Sequence, residues 1–203
     1  MRICDPKSLR VTTSFTLDNP LVAKFAEKNA ARLVTGISNE TKKALRTLIA
    51  QSFDEGIPVG ELSRMIRPMI GLTKNQTTAV LNARKSWQAA GVEKERLAKL
   101  VTRYATKLLR KRSIAIARTE SIYAAAQGQL AAWKLSEKNG VILAEKTLRI
   151  WLPDANACER CRYIADQGPV KFNDPFITQD GKRIMTPPLH PHCECSVGLK
   201  FAK

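Results

Sequence analysis

The feature that most constrains this chain is a group of cysteine and histidine residues near its C-terminal end. Cys158 and Cys161 form a C-x-x-C pair, and more donors follow between His190 and Cys195. Two thiolates from one tight turn can reach a single tetrahedral ion, and structural zinc takes four ligands of the Cys and His type. The spacing therefore predicts a closed, structural Zn²⁺ site within residues 158–195.

This segment offers more donors than a tetrahedral ion needs. The expected ligands, in order of preference, are Cys158, Cys161, His190, Cys193 and Cys195, with His192 last. If residues 193–195 are extended, both thiols lie on one side because side chains alternate, so Cys195 can replace Cys193 or His190. The alternatives are a redox C-x-x-C pair, which lacks its usual βαβ context, and thiols that pack as small hydrophobes without metal.

The residues around these donors do not predict catalysis. A catalytic zinc keeps an open position beside a carboxylate base, and neither Glu159 nor Glu194 stands in an H-x-E or H-E-x-x-H arrangement. A nuclease would need a cluster of carboxylates that binds magnesium. Four aspartates lie in the right region, but they are scattered in turn-rich sequence and are better explained as turn formers than as such a cluster: Asp154, Asp166, Asp174 and Asp180. We expect no enzymatic activity. The alternative class is a zinc-containing nucleic-acid-binding protein or nuclease.

The charge balance limits the choice of partner. The chain carries 34 Lys and Arg against 18 Asp and Glu, a formal net charge of +16. Charge of this size favours polyanionic partners. No apolar run approaches the roughly 20 residues of a membrane span, and the N-terminus does not resemble a signal peptide. We therefore expect a protein made in the cytosol that contacts nucleic acid and not a membrane.

Hydrophobic periodicity predicts a mainly helical chain after an N-terminal arm at residues 1–18. Helices are expected from Pro20 through Leu33 to near Gly36, from Ser38 or Asn39 to Gly56, from Glu61 to Met69, from Thr73 to Ala90, and from Glu93 to Leu135 with a break at Arg112-Ser113. Gln76 follows Thr73 at the capping-box spacing. The small residues Ala124 to Gly128 should let another backbone approach closely.

The character of the sequence changes after Asn139-Gly140. Residues 141–151 alternate apolar and polar side chains, which predicts strands, and the region beyond Pro153 has little periodicity and should need a metal to hold its shape. The predicted fold class is mainly α, with a small irregular α+β C-terminal module organised by zinc. The predicted domains are 19–112, helical, and 113–203, which contains the metal module at about 150–198.

Basic residues recur along the longest predicted helix. The positions predicted to contact DNA are Arg103, Lys107, Arg110 and Lys111. Lysines and arginines that neutralise phosphates release counterions, so such binding depends strongly on salt. The alternative is an ordinary solvated helix face, and the absence of interleaved aromatics argues against stacking on single strands.

Three motifs occur in a fixed order: Ile116-Ala117-Arg118-Thr119-Glu120, then Trp151 with Asp154 and the C-x-x-C pair, then residues 187–195, Pro-Pro-Leu-His-Pro-His-Cys-Glu-Cys. Together they resemble the C-terminal region of the phage Mu F-like minor head, or head morphogenesis, proteins of tailed phages. The resemblance covers residues 114–197, with a weaker helical match from about Ser38. Members often carry Arg or Lys between the last two cysteines, where this chain has Glu194.

The resemblance implies a minor structural protein of the virion, at the portal vertex or in the head interior, and in the host cytoplasm during assembly. The implied partners are the portal protein, the major capsid or other head proteins, and packaged double-stranded DNA. Arg118, Thr119 and Glu120 are then a structural motif. Residues two apart do not face each other on a helix, so Arg118 and Glu120 should serve different partners, with Glu120 meeting a donor in the zinc module.

Overall fold

The computed structural model describes residues 20–31 and 34–201. The predicted arm at residues 1–18, Leu33 and the isolated Cys4 lie outside this part of the chain. Six helices are described: α1 Pro20–Asn29, α2 Asn39–Asp54, α3 Val59–Ile66 with a 3₁₀ turn at Arg67–Met69, α4 Lys74–Ala89, α5 Lys94–Lys138 and α6 Glu159–Asp166. Five short strands follow α5 or flank α6: β1 Thr147–Leu152, β2 Val170–Lys171, β3 Phe176–Ile177, β4 Arg183–Ile184 and β5 Ser196–Phe201. The predicted fold class, mainly helical with a small C-terminal α+β module, is confirmed.

The predicted helix start signals are confirmed in atomic detail. Ser38 caps α2, where its Oγ accepts a hydrogen bond from the Thr41 backbone N–H at 3.1 Å. Thr73 caps α4 with both reciprocal bonds of a capping box, its partner being Gln76. Each bond satisfies a backbone N–H that the helix itself leaves without an acceptor.

Two predicted helix boundaries are wrong. The first helix ends at Asn29 and not near Gly36, since Ala31 has a left-handed φ of 61°. The break at Arg112-Ser113 does not exist, because α5 runs through it for 45 residues. Arg112 is buried there, and its guanidinium donates to the carbonyls of Gly71 at 2.6 Å and Thr35 at 2.5 Å. These two bonds tie neighbouring loops to the helix, so the charge does not interrupt it.

The N-terminal core forms where α1, α2 and α3 pack against α5. Its fully buried side chains include Leu45, Ile49, Leu62 and Ile66, as the period of 3.6 predicts. Ile116, Ala117, Ala124 and Ala125 of α5 belong to the same core, so helix and core both continue past the predicted domain boundary at 112/113.

Close approach at the small-residue face of α5 is confirmed. A Cβ placed on Gly128 would lie 2.7 Å from the Cα of Val22 in α1. Real Cβ atoms do not come so close to another backbone, so only glycine permits this contact between α1 and α5.

The C-terminal module contains a three-stranded antiparallel sheet in the order β2-β1-β5 and a separate β3-β4 pair. β1 and β5 pair along their full length, from Thr147 opposite Phe201 to Leu152 opposite Ser196. The prediction of strands over 141–151 is therefore correct only from Thr147, because the preceding residues form turns and a 3₁₀ helix at Ala144–Lys146. No helix in the described part of the chain is long and apolar enough to cross a membrane.

The module lies along the C-terminal half of α5. Gln127 donates to the Thr186 hydroxyl at 2.7 Å, and Asn173 donates to the Glu137 carboxylate at 2.9 Å. Trp133 packs against the second hydrophobic core, which belongs to the module. Side chains on α5 thus hold the strands and the cysteine-rich loops against the long helix.

Candidate metal centre

Two backbone segments bring the predicted metal ligands together. Cys158 is the N-cap residue of α6, so Cys161 follows it in the first helical turn and both thiols face the same side. The remaining donors lie on the loop that leads into β5, where the backbone N–H of Cys193 bonds the carbonyl of His190 at 3.1 Å. A tight turn therefore presents the second pair of donors to the first.

The distances between donor atoms suit a shared ion. Nε2 of His190 lies 3.1 Å from Sγ of Cys158 and 3.4 Å from Sγ of Cys161, and Sγ of Cys161 lies 3.7 Å from Sγ of Cys193. Tetrahedral coordination with metal–sulfur bonds of about 2.3 Å separates two sulfurs by about 3.8 Å. Two overlapping groups can each hold a metal: Cys158, Cys161 and His190, and Cys161, Cys193 and Cys195.

His190 is oriented by its own loop. Its Nδ1 lies 2.7 Å from the carbonyl oxygen of Pro191, which can only accept a hydrogen bond, so Nδ1 carries the proton. With a metal bound, Nε2 would then provide the lone pair for the ion, on the side of the thiols of Cys158 and Cys161. A hydrogen bond of this kind fixes the tautomer and the ring orientation of metal-binding histidines. His192 has no such position among the donor groups of the described residues, in agreement with its last place in the predicted ranking.

The thiols differ in their electrostatic environment. Burial raises the pKa of Cys158, but hydrogen bonds from the Cys161 backbone and side chain and from His190 outweigh this effect and lower its pKa to about 7. Burial and the neighbouring thiolates of Cys193 and Cys195 raise the pKa of Cys161. Burial also raises the pKa of Cys195. Several thiolates cannot be crowded together here without a compensating positive charge, and a bound cation would provide it.

The donors form part of the second hydrophobic core. Cys161, Cys193 and Cys195 are buried with Trp151, Ile164 and Phe176, and the rings of Trp151 and Phe176 meet edge to face at 5.4 Å. The donors surround a cavity of about 240 Å³. A metal here would lie in the centre of the module, where it could link α6, the last loop and β5.

Arg149 is an important residue that the sequence analysis did not single out. Its side chain is fully buried, and its guanidinium donates to the carbonyls of Phe172 at 2.7 Å and Met185 at 2.6 Å, and also to that of Asp174. The guanidinium carbon lies 5.3 Å from the centre of the Phe176 ring. Burial lowers the pKa of Arg149, partly offset by the charge of Asp174. A single side chain thus fixes two loops of the module.

The Arg118-Thr119-Glu120 motif uses its first two residues to contact residues 190–195, the donor-bearing loop that leads into β5 and is here called the metal loop. Arg118 and Glu194 form an ion pair at 3.1 Å, and both side chains are about half exposed. The hydroxyl of Thr119 accepts a hydrogen bond from the backbone N–H of His192 at 3.1 Å. His192 has a left-handed φ of 62°, which helps to direct its N–H towards α5.

Glu120 is fully buried in α5. Its predicted contact with a donor in the metal module stays a prediction. Arg118 and Thr119 both contact the loop, Arg118 through the side chain of Glu194 and Thr119 through the backbone of His192.

The positions predicted to contact DNA form an exposed row on α5. Arg103, Lys107, Arg110 and Lys111 all lie at the surface. Two of the four aspartates act as turn formers, as predicted: Asp154 accepts from the Asn156 N–H at 2.9 Å, and Asp180 accepts from Thr178 and pairs with Lys182 at 2.6 Å. No carboxylate belongs to either metal-capable group found in the described residues.

Comparison of the chain with protein-family models, curated proteins and solved structures found no significant match.

Proposed function

We propose that this chain is a minor head protein of a tailed phage, a non-enzymatic component of the portal vertex or head interior that also contacts packaged DNA. The proposal rests on the motif resemblance between residues 114 and 197. The observation that supports it most is that the three motifs, far apart in sequence, meet at one place. Thr119 binds the backbone of His192, and Trp151 packs in the same core as the cysteine cluster.

We further propose that the bound metal is structural Zn²⁺. Thiolate and imidazole donors at tetrahedral spacing are the ligands that zinc prefers in structural sites, whereas magnesium and calcium require oxygen ligands. The four ligands would come from Cys158, Cys161, His190, Cys193 and Cys195, with Cys161 shared by both donor groups. Bound zinc would hold α6 and the last loop together against α5, as a metal does in other modules with a small core.

The surface of the protein also suits this role. A net charge of +16 favours proximity to densely packed phosphate, and the exposed row on α5 offers contacts that need no base sequence. The helical part, α1 to α4, offers the larger protein surface for the portal or neighbouring head proteins. The function would then be to assist assembly of the phage head, without enzymatic activity.

The decisive experiment is to locate the chain in assembled particles. We expect an affinity-tagged chain, expressed during phage growth, to co-purify with the portal and head proteins in both procapsids and mature heads. A cryo-EM map of those particles should place it at the portal vertex or inside the shell. Metal-dependent cleavage of DNA by the isolated chain, with no association with head proteins, would instead favour the alternative function, a zinc-containing nuclease.

A further inference from the structure

A cationic pocket lies between α3 and α5, and none of the candidate metal ligands is among the described residues that line it. Its volume is about 390 Å³, and four arginines line it: Arg64 and Arg67 from α3 and its 3₁₀ turn, and Arg110 and Arg118 from α5. Ile114 provides an apolar wall, and none of the described residues that line the pocket carries a carboxylate. Like charges in one concave site repel each other, and a bound anion would offset this repulsion.

The N-terminal end of α3 also borders this pocket, and its first turn carries Glu61, which is not among the described residues that line the pocket. Val59 and Gly60, the first two residues of α3, line it, and Pro58, the N-cap residue, provides no side-chain cap. The first N–H groups of a helix have no acceptor within the helix and carry its positive dipole end. A Cβ added to Gly60 would meet nothing within 4 Å, so a ligand can approach this end freely. Such helix ends favour phosphate and carboxylate groups.

Only one of the four arginines pairs with a carboxylate among the residues described. Arg118 pairs with Glu194 at the edge of the pocket, but Arg64, Arg67 and Arg110 have no carboxylate within ion-pair distance among the residues described. Nε of Arg67 is buried and has no hydrogen-bond partner in the described part of the chain. Buried N–H groups without an acceptor are costly and uncommon, and the described residues leave this donor of Arg67 unsatisfied.

We propose that this pocket binds a phosphate group of a nucleic-acid backbone, with Arg64, Arg67 and Arg110 as its main ligands. Arginine presents planar, forked N–H donors that match phosphate oxygens in pairs. No aromatic side chain is among the described residues that line the pocket, so these residues offer no surface on which a base could stack, and binding should not depend on base sequence. The site adds Arg64 and Arg67, both from outside α5, to the basic row predicted from sequence.

Continuity with that row favours a polymer of phosphates over an acidic peptide. Arg103, Lys107, Arg110 and Arg118 recur at helical spacing along one face of α5, over about 22 Å of helix. A single carboxylate would satisfy only the pocket, whereas a phosphate backbone can follow the whole row. The choice of duplex DNA as the natural ligand rests on the proposed function, but the anion chemistry of the pocket does not.

The test measures how DNA binding by the full chain depends on salt. The variant is Arg64→Gln/Arg67→Gln/Arg110→Gln, with Arg118 kept because it contacts the metal loop. The matched control is Lys74→Gln/Arg84→Gln/Lys85→Gln, which removes the same charge from exposed positions on α4. With a short mixed-sequence duplex between about 50 and 200 mM salt, we expect the slope of log K against log salt to fall by about 2 to 3 for the pocket variant and by less than about 1 for the control. Equal losses in the two variants would overturn the proposal.

A second measurement uses the unmodified protein and does not depend on folding of the variant. DNA should protect Arg64, Arg67 and Arg110 from phenylglyoxal more strongly than Arg84, as read by peptide mass mapping. Unchanged modification of the pocket arginines would contradict the proposal. So would a pocket variant that binds polyglutamate more weakly but DNA as before, since the partner would then be an acidic protein. Absence of the chain from phage heads would refute the proposed function and leave these DNA results unaffected.

Discussion

Arg149 places a permanently charged group inside the C-terminal module, where burial of an unpaired charge would be severely destabilising. The cost is offset by three backbone carbonyls, those of Phe172, Asp174 and Met185, which accept its N–H donors. These carbonyls belong to loops without regular structure around β3 and β4. Arg149 therefore provides these loop carbonyls with the hydrogen-bond donors that a neighbouring strand would provide in a sheet.

We expect Arg149→Met to reduce the free energy of unfolding by at least about 3 kcal/mol, because each carbonyl left without a donor costs about 1–3 kcal/mol. Arg149→Lys should lose less, since an ammonium retains charge but cannot reach three acceptors as a planar fork does. Urea denaturation with saturating zinc measures both. The control is Arg183→Met at an exposed position of β4, where we expect a change within about 0.5 kcal/mol. Similar stability of Arg149→Met and Arg183→Met would contradict this role.

The overlapping donor groups make Cys161 the most demanding ligand. Because it belongs to both groups, no rearrangement of the other donors can replace it. We expect about one zinc per purified chain, and we expect Cys161→Ser to lose most of it, as measured by elemental mass spectrometry. Cys195→Ser should retain more, since the other three cysteine and histidine donors still surround Cys161. Cys4→Ser, far outside the cluster in sequence, is the control and should keep its metal. A folded wild-type chain free of metal would refute the site.

At this scale the sequence predicted well which cysteine and histidine side chains lie together, and predicted poorly the residues that support them. The short spacings within Cys158-x-x-Cys161 and within residues 190–195 indicate two local groups of donors, because a tight turn can bring both members of such a group to one side. Arg149 gives no such signal, since a charged residue in a strand is expected to face the solvent, whereas Arg149 is buried. Its burial depends on the carbonyls of Phe172 and Met185, which lie more than 20 residues away in the chain. Sequence patterns do not reveal contacts of that kind.

Between elements, α1 and α5 pack closely where Gly128 of α5 meets Val22 of α1. A methyl group at this position would lie 2.7 Å from the Cα of Val22, so the backbone of α1 would have to move. Overpacking of a rigid contact typically costs about 1–3 kcal/mol. This cost outweighs the gain of up to about 1 kcal/mol that alanine usually brings in a helix.

Gly128→Ala should therefore lower the midpoint of thermal unfolding. Gly60→Ala is the matched control, because it also replaces a helical glycine but meets nothing within 4 Å. We expect that variant to be neutral or slightly stabilised. Circular dichroism at increasing temperature compares the two variants with the wild type. A stabilised Gly128→Ala protein would mean that α1 does not pack as closely as described.

The elements that the sequence predicts are those whose signals are local. α2 and α4 have N-caps and regular apolar spacing, and both begin where predicted. α6 is only eight residues long, and one of its buried positions is Cys161, a candidate metal ligand, so the helical period is difficult to recognise beside the C-x-x-C motif. β5 pairs with β1 about 50 residues earlier in the chain, and the local sequence pattern does not indicate such a distant strand partner. Short elements in the module depend on the tertiary contacts around them.

At the scale of the whole molecule, the described part of the chain has two hydrophobic cores joined by one long helix. The first core is built from α1, α2, α3 and α5, and the second from the strands, α6 and the cysteine cluster. Three of the buried residues of the second core are themselves metal-binding candidates: Cys161, Cys193 and Cys195. A core of this size is marginal without a further cross-link, so metal binding and folding should be coupled in the module but not in the helical part.

We therefore expect a strong zinc chelator to unfold one part of the molecule and leave the other intact. In hydrogen exchange followed by mass spectrometry, residues 147–201 should lose protection on chelation, whereas α2 and the first half of α5 should keep theirs. Residues 118–138 should show a smaller loss, because they are helical but lose the contacts of Thr119, Gln127 and Trp133 with the module. Added zinc should restore the original pattern. Equal loss of protection in both parts would mean that the two cores fold as one unit, and unchanged exchange would mean that the module holds its structure without metal.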